Sequence, residues 1–371
     1  MEAMGIIFSN IYDSHMGTLT EIRTSASIPV GGRYRQIDFI LSSMANSGVR
    51  HIGIVTKYNY QSLMDHLGSC QEWDLNLNTN GVVFLPPYAT GHTGIYRGKL
   101  EALQTALPVL ENSTQEFVVL ADSNVMASVD FRKVVESHVE SGCEITVVAK
   151  AGMADGQKVH HFALKADETG KAVDMGCDYA APEGYMVGMS MFVIRRTHLI
   201  RTIKEMVPHG LYHLERDFVM NAFRRGDVSV NVYGFEGVAL FSDSVESYYK
   251  NNMALLCGEV RKSLFKGEVP VYTKVRDEVP TLYGKTAEVA NCIVADGCRL
   301  SGYVENSVIF REVKVDQGAE VRDSIVMQGS VVEKGASIRY AILDKNVTVK
   351  SGTKLLGSPE HPIIIRKGVT V

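Results

Sequence analysis

The sequence predicts an α/β domain, with a mostly parallel sheet covered by helices, followed by a left-handed parallel β-helix. Two observations carry this expectation. Over the first two-thirds of the 371 residues, short apolar runs alternate with stretches of helical apolar spacing. Beyond about residue 287 the chain repeats itself every 17 residues.

The strand-like runs are Gly5–Ser9, His51–Thr56, Phe117–Ala121 and Glu144–Ala149. Between them, Ile37–Ser47, Gln61–Leu67, Lys99–Leu110 and Phe131–Ser141 carry the helical period. Open sheets of this kind bind ligands beyond the carboxyl ends of their strands, so a site is expected just after Ser9, Thr56 and Ala121. This domain spans residues 1–258. The period loosens over 259–286, around Pro270 and Pro280, which reads as a linker.

From 287 to 371 the repeat can be checked by arithmetic. Ser307-Val308-Ile309, Ser324-Ile325-Val326 and Ala341-Ile342-Leu343 begin units 17 apart, and a shorter unit starts at Cys292. Val315, Val332 and Val349 keep step, as do Gly318, Gly335 and Gly352, and Val321, Ile338 and Leu355. An aliphatic at about every sixth residue fits hexapeptide-type triangular coils, with glycine at a corner where a left-handed backbone favours it. One coil cannot bury its interior alone, so about four stacked coils are expected.

Composition excludes several classes. A net charge of −4, with 22% charged and 45% hydrophobic residues, leaves no nucleic-acid footprint. No run approaches the roughly 18 apolar residues of a membrane span, and the N-terminus lacks the pattern of a signal peptide. A cytoplasmic protein is expected. The six cysteines are scattered and read as reduced thiols; Cys292 and Cys298 read as repeat positions rather than a zinc pair. His160-His161 and the pair His209/His213 lack a third ligand and read as packing.

The segment Ile28-Pro29-Val30-Gly31-Gly32-Arg33-Tyr34-Arg35-Gln36-Ile37-Asp38-Phe39, with Asn46-Ser47-Gly48, resembles the glucose-1-phosphate adenylyltransferase family. Tyr96-Arg97-Gly98, Leu120-Ala121, Asp217-Phe218 and Glu246–Asn252 resemble its later landmarks. The resemblance covers nearly the whole chain. It implies a Rossmann-like nucleotidyltransferase (GT-A-like) domain with a mixed sheet, then the β-helix. Tyr96 and Gly98 would belong to a vestigial nucleotide-sugar pocket.

Adenylyl transfer needs backbone amides and a cation around the triphosphate, carboxylates on Mg²⁺, and a lysine for the sugar phosphate. The family's glycine loop falls on Asn10–His15, so its glycines become Asn10, Ile11 and Asp13 and its arginine becomes His15. A lysine becomes Ser25. The two metal aspartates fall on Ser123 and Phe241, and the sugar-phosphate lysine falls on Asp178. Asp13 is expected to repel a triphosphate, and Ile11 to block backbone approach. Asp122 and Asp243 remain as fallback metal ligands.

This pattern resembles the GlgD-type branch of the family. The resemblance implies a noncatalytic or weakly catalytic subunit that enhances a catalytic GlgC-type partner in a hetero-tetramer, with homo-oligomers as an alternative. No cofactor of its own is then expected, and Mg²⁺ would serve the partner. Arg23, Arg35 and Arg339 correspond to arginines of the family's regulatory anion site, which takes a phosphorylated small-molecule effector. They fit an interdomain salt-bridge cluster equally well. Two other readings stay open: an active nucleotidyltransferase with a rewired metal site, and a β-helix acyltransferase, for which His361 is the one histidine in that region.

Overall fold

The computed structural model describes residues 2–77, 80–87, 96–267 and 269–371. Ala3–Phe8 is the central strand, parallel to Ile52–Val55 on one side and Phe117–Asp122 on the other. All six of its residues are buried. Met4, Ile6 and Phe8 enter one core while Ala3 and Ile7 enter another, so a strand covered on both faces shows an apolar run rather than alternation. Val82–Leu85 extends the parallel set beyond Ile52–Val55.

The other half of the sheet changes direction. Met186–Arg195 runs antiparallel to both Phe117–Asp122 and Ile145–Lys150, and Val230–Gly234 runs parallel to the latter. His160–Ala166 and Ala172–Tyr179 form an antiparallel pair joined to the start of Met186–Arg195. The sheet is therefore mixed. The helical spacing over Lys99–Leu110 resolves into three successive segments, Lys99–Ala102, Leu103–Ala106 and Leu107–Asn112, the last admitting Pro108 in its first turn.

The left-handed β-helix comprises three five-stranded parallel sheets, hence five coils rather than about four. Its first strand, Leu282–Tyr283, pairs with Arg299–Leu300 and so precedes the expected start at 287. The expected linker also needs correction, because Gly258–Phe265 is a helix. The segment after it is strapped to the sheet domain: the Tyr272 amide donates to Ser42 Oγ at 2.9 Å, and Asn46 Nδ2 donates to the Pro270 carbonyl at 2.7 Å. Gly318, Gly335 and Gly352 have φ of 75°, 73° and 74°, the left-handed corners that the spacing implied.

One face of the β-helix departs from simple alternation. Ile309, Val326 and Leu343 point inward, whereas their neighbours Val308, Ile325 and Ile342 point outward yet are fully buried. The outward set packs on Ile28, Val30, Phe39, Tyr248 and Leu255 of the first domain. Each such side chain stabilises by about 1.5–3 kcal/mol, so consecutive aliphatics in the repeat fix one side of the coil stack against the sheet domain. Polar ties add direction there. Arg23 and Asp344 form a buried double contact at 2.9 and 3.0 Å, and Tyr249 Oη donates to the Asp323 carbonyl at 2.5 Å.

Candidate functional site

The loop after the central strand closes on itself. Asn10 Nδ2 donates to Asp13 Oδ2 at 2.5 Å, and the Ser25 amide donates to Asp13 Oδ1 at 2.7 Å. The His15 and Met16 amides donate to the carbonyls of Tyr12 and Asp13 in a tight turn. Asp13 thus satisfies neighbouring donors that a phosphate loop would leave free. This adds a local structural role to the one expected of it. Burial raises its carboxyl above the usual carboxylate range, while Asn10 and Ser25 oppose that shift. Asp13 is a clamp inside the loop rather than a charge facing a ligand. Ile11 lines a small cavity with Phe8, Val55, Lys57, Tyr96 and Gly98, and His15 is exposed.

Behind this loop sits an ion network. Lys99 Nζ lies 2.8 Å from Asp122 Oδ2 and also contacts Glu215 Oε1, with all three side chains at most 5% exposed. Burial alone would lower the lysine's pKa, but the two carboxylates hold it well above the ordinary value. Burial likewise disfavours the Glu215 carboxylate, yet Lys99 and His161 outweigh it and depress that pKa. Asp122 is raised, chiefly by burial. Glu215 stands on a π-helical turn, Leu214–Met220, a distortion that often marks functional sites.

His161 extends the network toward solvent, 3.8 Å from Glu215 Oε1 and 3.4 Å from Asp178 Oδ1. The buried Tyr12 ring lies edge-on to it at 6.4 Å. Asp178 is itself largely exposed. The fallback metal pair is not a pair with a shared cation. Asp122 faces Lys99, whereas Asp243 is partly exposed, 3.7 Å from Lys158. A family magnesium ion does not fit this donor set: an ammonium already stands against both buried carboxylates, and no group of three His, Cys, Asp or Glu among the described residues is placed to hold a metal. Ser123 is buried, its amide donating to the Phe8 carbonyl at 3.2 Å, and Phe241 pairs with Val125 in a short two-stranded sheet.

Gly98 serves packing. A Cβ there would stand 2.2 Å from the Tyr212 carbonyl oxygen, the same oxygen that accepts from the Leu100 amide at 2.9 Å. Nothing in composition or spacing singled out Lys99, Glu215 or Tyr12. The available signal was a lysine opening a helix beside the apolar Leu100 and Ala102.

A second cleft lies between the domains. It is lined by Arg33, Arg35, Lys274, Arg276, Arg311 and Lys345, with no carboxylate among its described lining residues. Arg311 is 7% exposed, and its Nε and Nη2 have no hydrogen-bond partner. Burial, then Arg33 and Arg276, lower its pKa. Burial with Arg35 and Arg23 pushes the Lys345 ammonium down to about 7. Arg35 donates to the Ser62 carbonyl at 2.5 Å, and burial lowers its pKa to about 10.

The expected trio does not form one cluster, and for Arg23 the structure has the interdomain salt bridge of the alternative reading. Arg23 is committed to Asp344, and Arg339 lies outside the cleft, half-exposed, with Asp323 at 3.3 Å and its guanidinium over Tyr340. Arg311, Gln328 and Lys345 occupy one corner of three successive coils, 17 residues apart. The repeat arithmetic could have found that column.

Comparison with known proteins gives these features a context. Residues 14–174 match the nucleotidyl transferase family, the match beginning inside the altered loop, and residues 278–361 match the GlmU-like C-terminal hexapeptide family. The glycogen biosynthesis protein GlgD of Bacillus subtilis (strain 168) is 35% identical over 99% of this chain and 96% of its own length. GlgD of Geobacillus stearothermophilus is 36% identical over 98% of this chain and 96% of its own. A glucose-1-phosphate adenylyltransferase of Pseudothermotoga lettingae is 26% identical over 86% of this chain and 76% of its own. The chain belongs to the GlgD family of glycogen biosynthesis proteins, related to the glucose-1-phosphate adenylyltransferases.

Proposed function

We propose that this chain is a noncatalytic or weakly catalytic subunit that raises ADP-glucose synthesis by a catalytic glucose-1-phosphate adenylyltransferase chain, in a mixed tetramer of the cytoplasm. The observation that carries this reading is the closed loop and its ion network. Asp13 satisfies loop donors, and Lys99 stands against the buried carboxylate nearest the strand end. Magnesium then serves the partner. No helix among the described residues is long and apolar enough to cross a membrane, which accords with this setting.

Contact with the partner would use the open first coil, where Val279, Leu282 and Tyr283 are exposed beside unpaired strand edges. The effector would be a phosphorylated small molecule in the interdomain cleft, held by Arg33, Arg35, Arg276, Arg311 and Lys345. An effector seated between domains acts by favouring one relative arrangement over another. The deciding experiment measures pyrophosphate release by the catalytic chain with and without this one, and by this one alone with ATP, Mg²⁺ and glucose 1-phosphate. Enhancement of the partner with little turnover alone is expected. Turnover by the isolated chain near about 10 s⁻¹, a typical enzymatic rate, overturns the reading.

A further inference from the structure

The interdomain cleft sets amines among guanidiniums, and the two groups answer crowding differently. A guanidinium keeps its proton at any ordinary pH, whereas a crowded amine relieves charge by giving one up. Lys274 and Lys345 both line the cleft. Lys274 Nζ donates to the Asp65 carbonyl at 2.5 Å, which favours its charged form. The Lys345 amide donates to Asp344 Oδ1 at 2.6 Å, but among the described residues its side-chain nitrogen has no hydrogen bond or ion pair. Asp344 favours the ammonium, yet that carboxylate is paired with Arg23. Burial, then Arg35 and Arg23, outweigh it and bring the amine to about 7, so a neutral, nucleophilic fraction is present at neutral pH.

Arg311 supplies the complement. It is 7% exposed, and its unpartnered nitrogens, Nε and Nη2, form one edge of the guanidinium, an edge that can grip both oxygens of a carboxylate. Arg311 and Lys345 occupy the same corner two coils apart. At the usual strand spacing that is roughly 10 Å along the stack, within joint reach of two long side chains. The cavity there measures about 40 Å³, room for a group of about three heavy atoms. We propose that Lys345 is a carbamylation site: its side-chain amine condenses reversibly with carbon dioxide, and Arg311 holds the carbamate formed. The Nζ lone pair forms an N–C bond to the carbon, one C=O π pair moves onto oxygen, and the nitrogen releases a proton to water. A cation or neutral amine thereby becomes an anion, which gives the crowded guanidiniums a counter-charge. The inference goes beyond the effector reading, which concerns a phosphorylated molecule held without a covalent bond. Its test uses neither that molecule nor the catalytic chain, so either can fail without the other.

The experiment follows the full-length chain by ¹³C NMR in a sealed tube with ¹³C-labelled bicarbonate at neutral pH. Carbamates are then fixed as alkyl esters with triethyloxonium and mapped by peptide mass spectrometry. A carbamate resonance distinct from those of bicarbonate and carbon dioxide is expected, with the ester on the Lys345 peptide. An α-amino terminus, whose ordinary pKa is about 8, forms a carbamate too, so Lys345→Gln should lose one of two resonances and keep the other. Arg311→Met should lower the esterified fraction at Lys345 about tenfold, the loss of one charge-assisted contact. An unmodified Lys345 peptide from the wild type overturns the proposal, and so does a Lys345→Gln spectrum that keeps both resonances. A bicarbonate resonance that shifts with protein while no carbamate forms marks an adventitious ion only, and overturns it as well. An equal esterified fraction in Arg311→Met overturns the assignment of Arg311 as the group that holds the carbamate.

Discussion

The two clefts of this molecule handle charge in opposite ways. In the nucleotide cleft each buried charge has an internal answer: Lys99 meets Asp122 and Glu215, Asp13 meets Asn10 and Ser25, and His161 meets Glu215 and Asp178. In the interdomain cleft the charges outnumber their answers. Arg23 has Asp344, but among the described residues the Arg35 guanidinium donates to a carbonyl and a hydroxyl, and Nε and Nη2 of Arg311 have no hydrogen-bond partner. A cleft whose ions are satisfied gains little from a charged ligand. Cations crowded on one another, with no carboxylate among the described lining residues, are relieved by an anion that enters. On the proposed reading, the anion belongs in the interdomain cleft rather than in the cleft beneath the first-strand loop.

The sharpest way to break the comparison is to unbalance the closed cleft. Lys99→Met leaves two carboxylates buried without a cation, and breaking a buried ion pair costs about 3–5 kcal/mol. Chemical denaturation should show a loss of that order. Converting the whole network to Lys99→Met/Asp122→Asn/Glu215→Gln should recover most of it, because the uncompensated charge is then gone. A loss under about 1 kcal/mol for Lys99→Met, the level of an exposed pair, would mean that water reaches the network and that the cleft is not closed.

The open cleft should respond next. A divalent anion at a hundred times its dissociation constant stabilises by about 2.7 kcal/mol, and the gain should shrink with added chloride. Arg311→Met should abolish it, leaving the melting of the free protein equal to or above that of the wild type. The pH dependence follows from Lys345. In the fold its ammonium deprotonates near 7, whereas the ordinary value is 10.5. Between those values the unfolded chain binds the extra proton, so the free protein gains stability as pH rises through that window. A bound anion favours the protonated form, so sulfate, whose own charge is constant there, should bind more tightly below pH 7 and weaken above it. Lys345→Gln should flatten the profile. An unchanged slope would place the proton linkage elsewhere.

These two clefts were unequally legible in the sequence. Period and spacing gave the strands, the helices and the coil repeat, because burial on both faces writes apolar runs and stacking writes a 17-residue register. They missed the first coil at Leu282–Tyr283, where exposed end residues carry no inward aliphatic pattern. The losses at the nucleotide loop were readable as substitutions, but the use made of them was not. Asp13 turns inward, and Lys99 reads as a solvated helix start until the fold brings Glu215 against it from 116 residues away. Arg339 was misplaced for a simpler reason. It belongs to the Arg322–Arg339 ladder on a side sheet, whereas the cleft is built on the corner that follows the interface sheet.

Packing in the closed cleft offers a smaller effect. Gly98→Ala pushes a methyl carbon toward the Tyr212 carbonyl oxygen, and overpacking of this kind costs about 1–3 kcal/mol. The helix start that carries Lys99 would have to shift with it. Denaturant titration should show the loss without any change in anion response, since Gly98 lies in the nucleotide cleft rather than between the domains.

The smallest effect discriminates best between the two assignments of the anion site. Arg339→Ala removes an exposed guanidinium whose partners are Asp323 and Tyr340, outside the lining of the cleft. If the site were the trio read from motif position, this change would cost anion affinity as heavily as Arg311→Met. With the site on the Arg311–Lys345 corner, melting and sulfate affinity should both match the wild type within error, because solvent already screens the lost charge. A tenfold loss of sulfate affinity in Arg339→Ala would move the ligand out of the interdomain cleft. It would also remove the contrast between a satisfied pocket and an unsatisfied one, since the unpartnered nitrogens of Arg311 would then have no ligand to await.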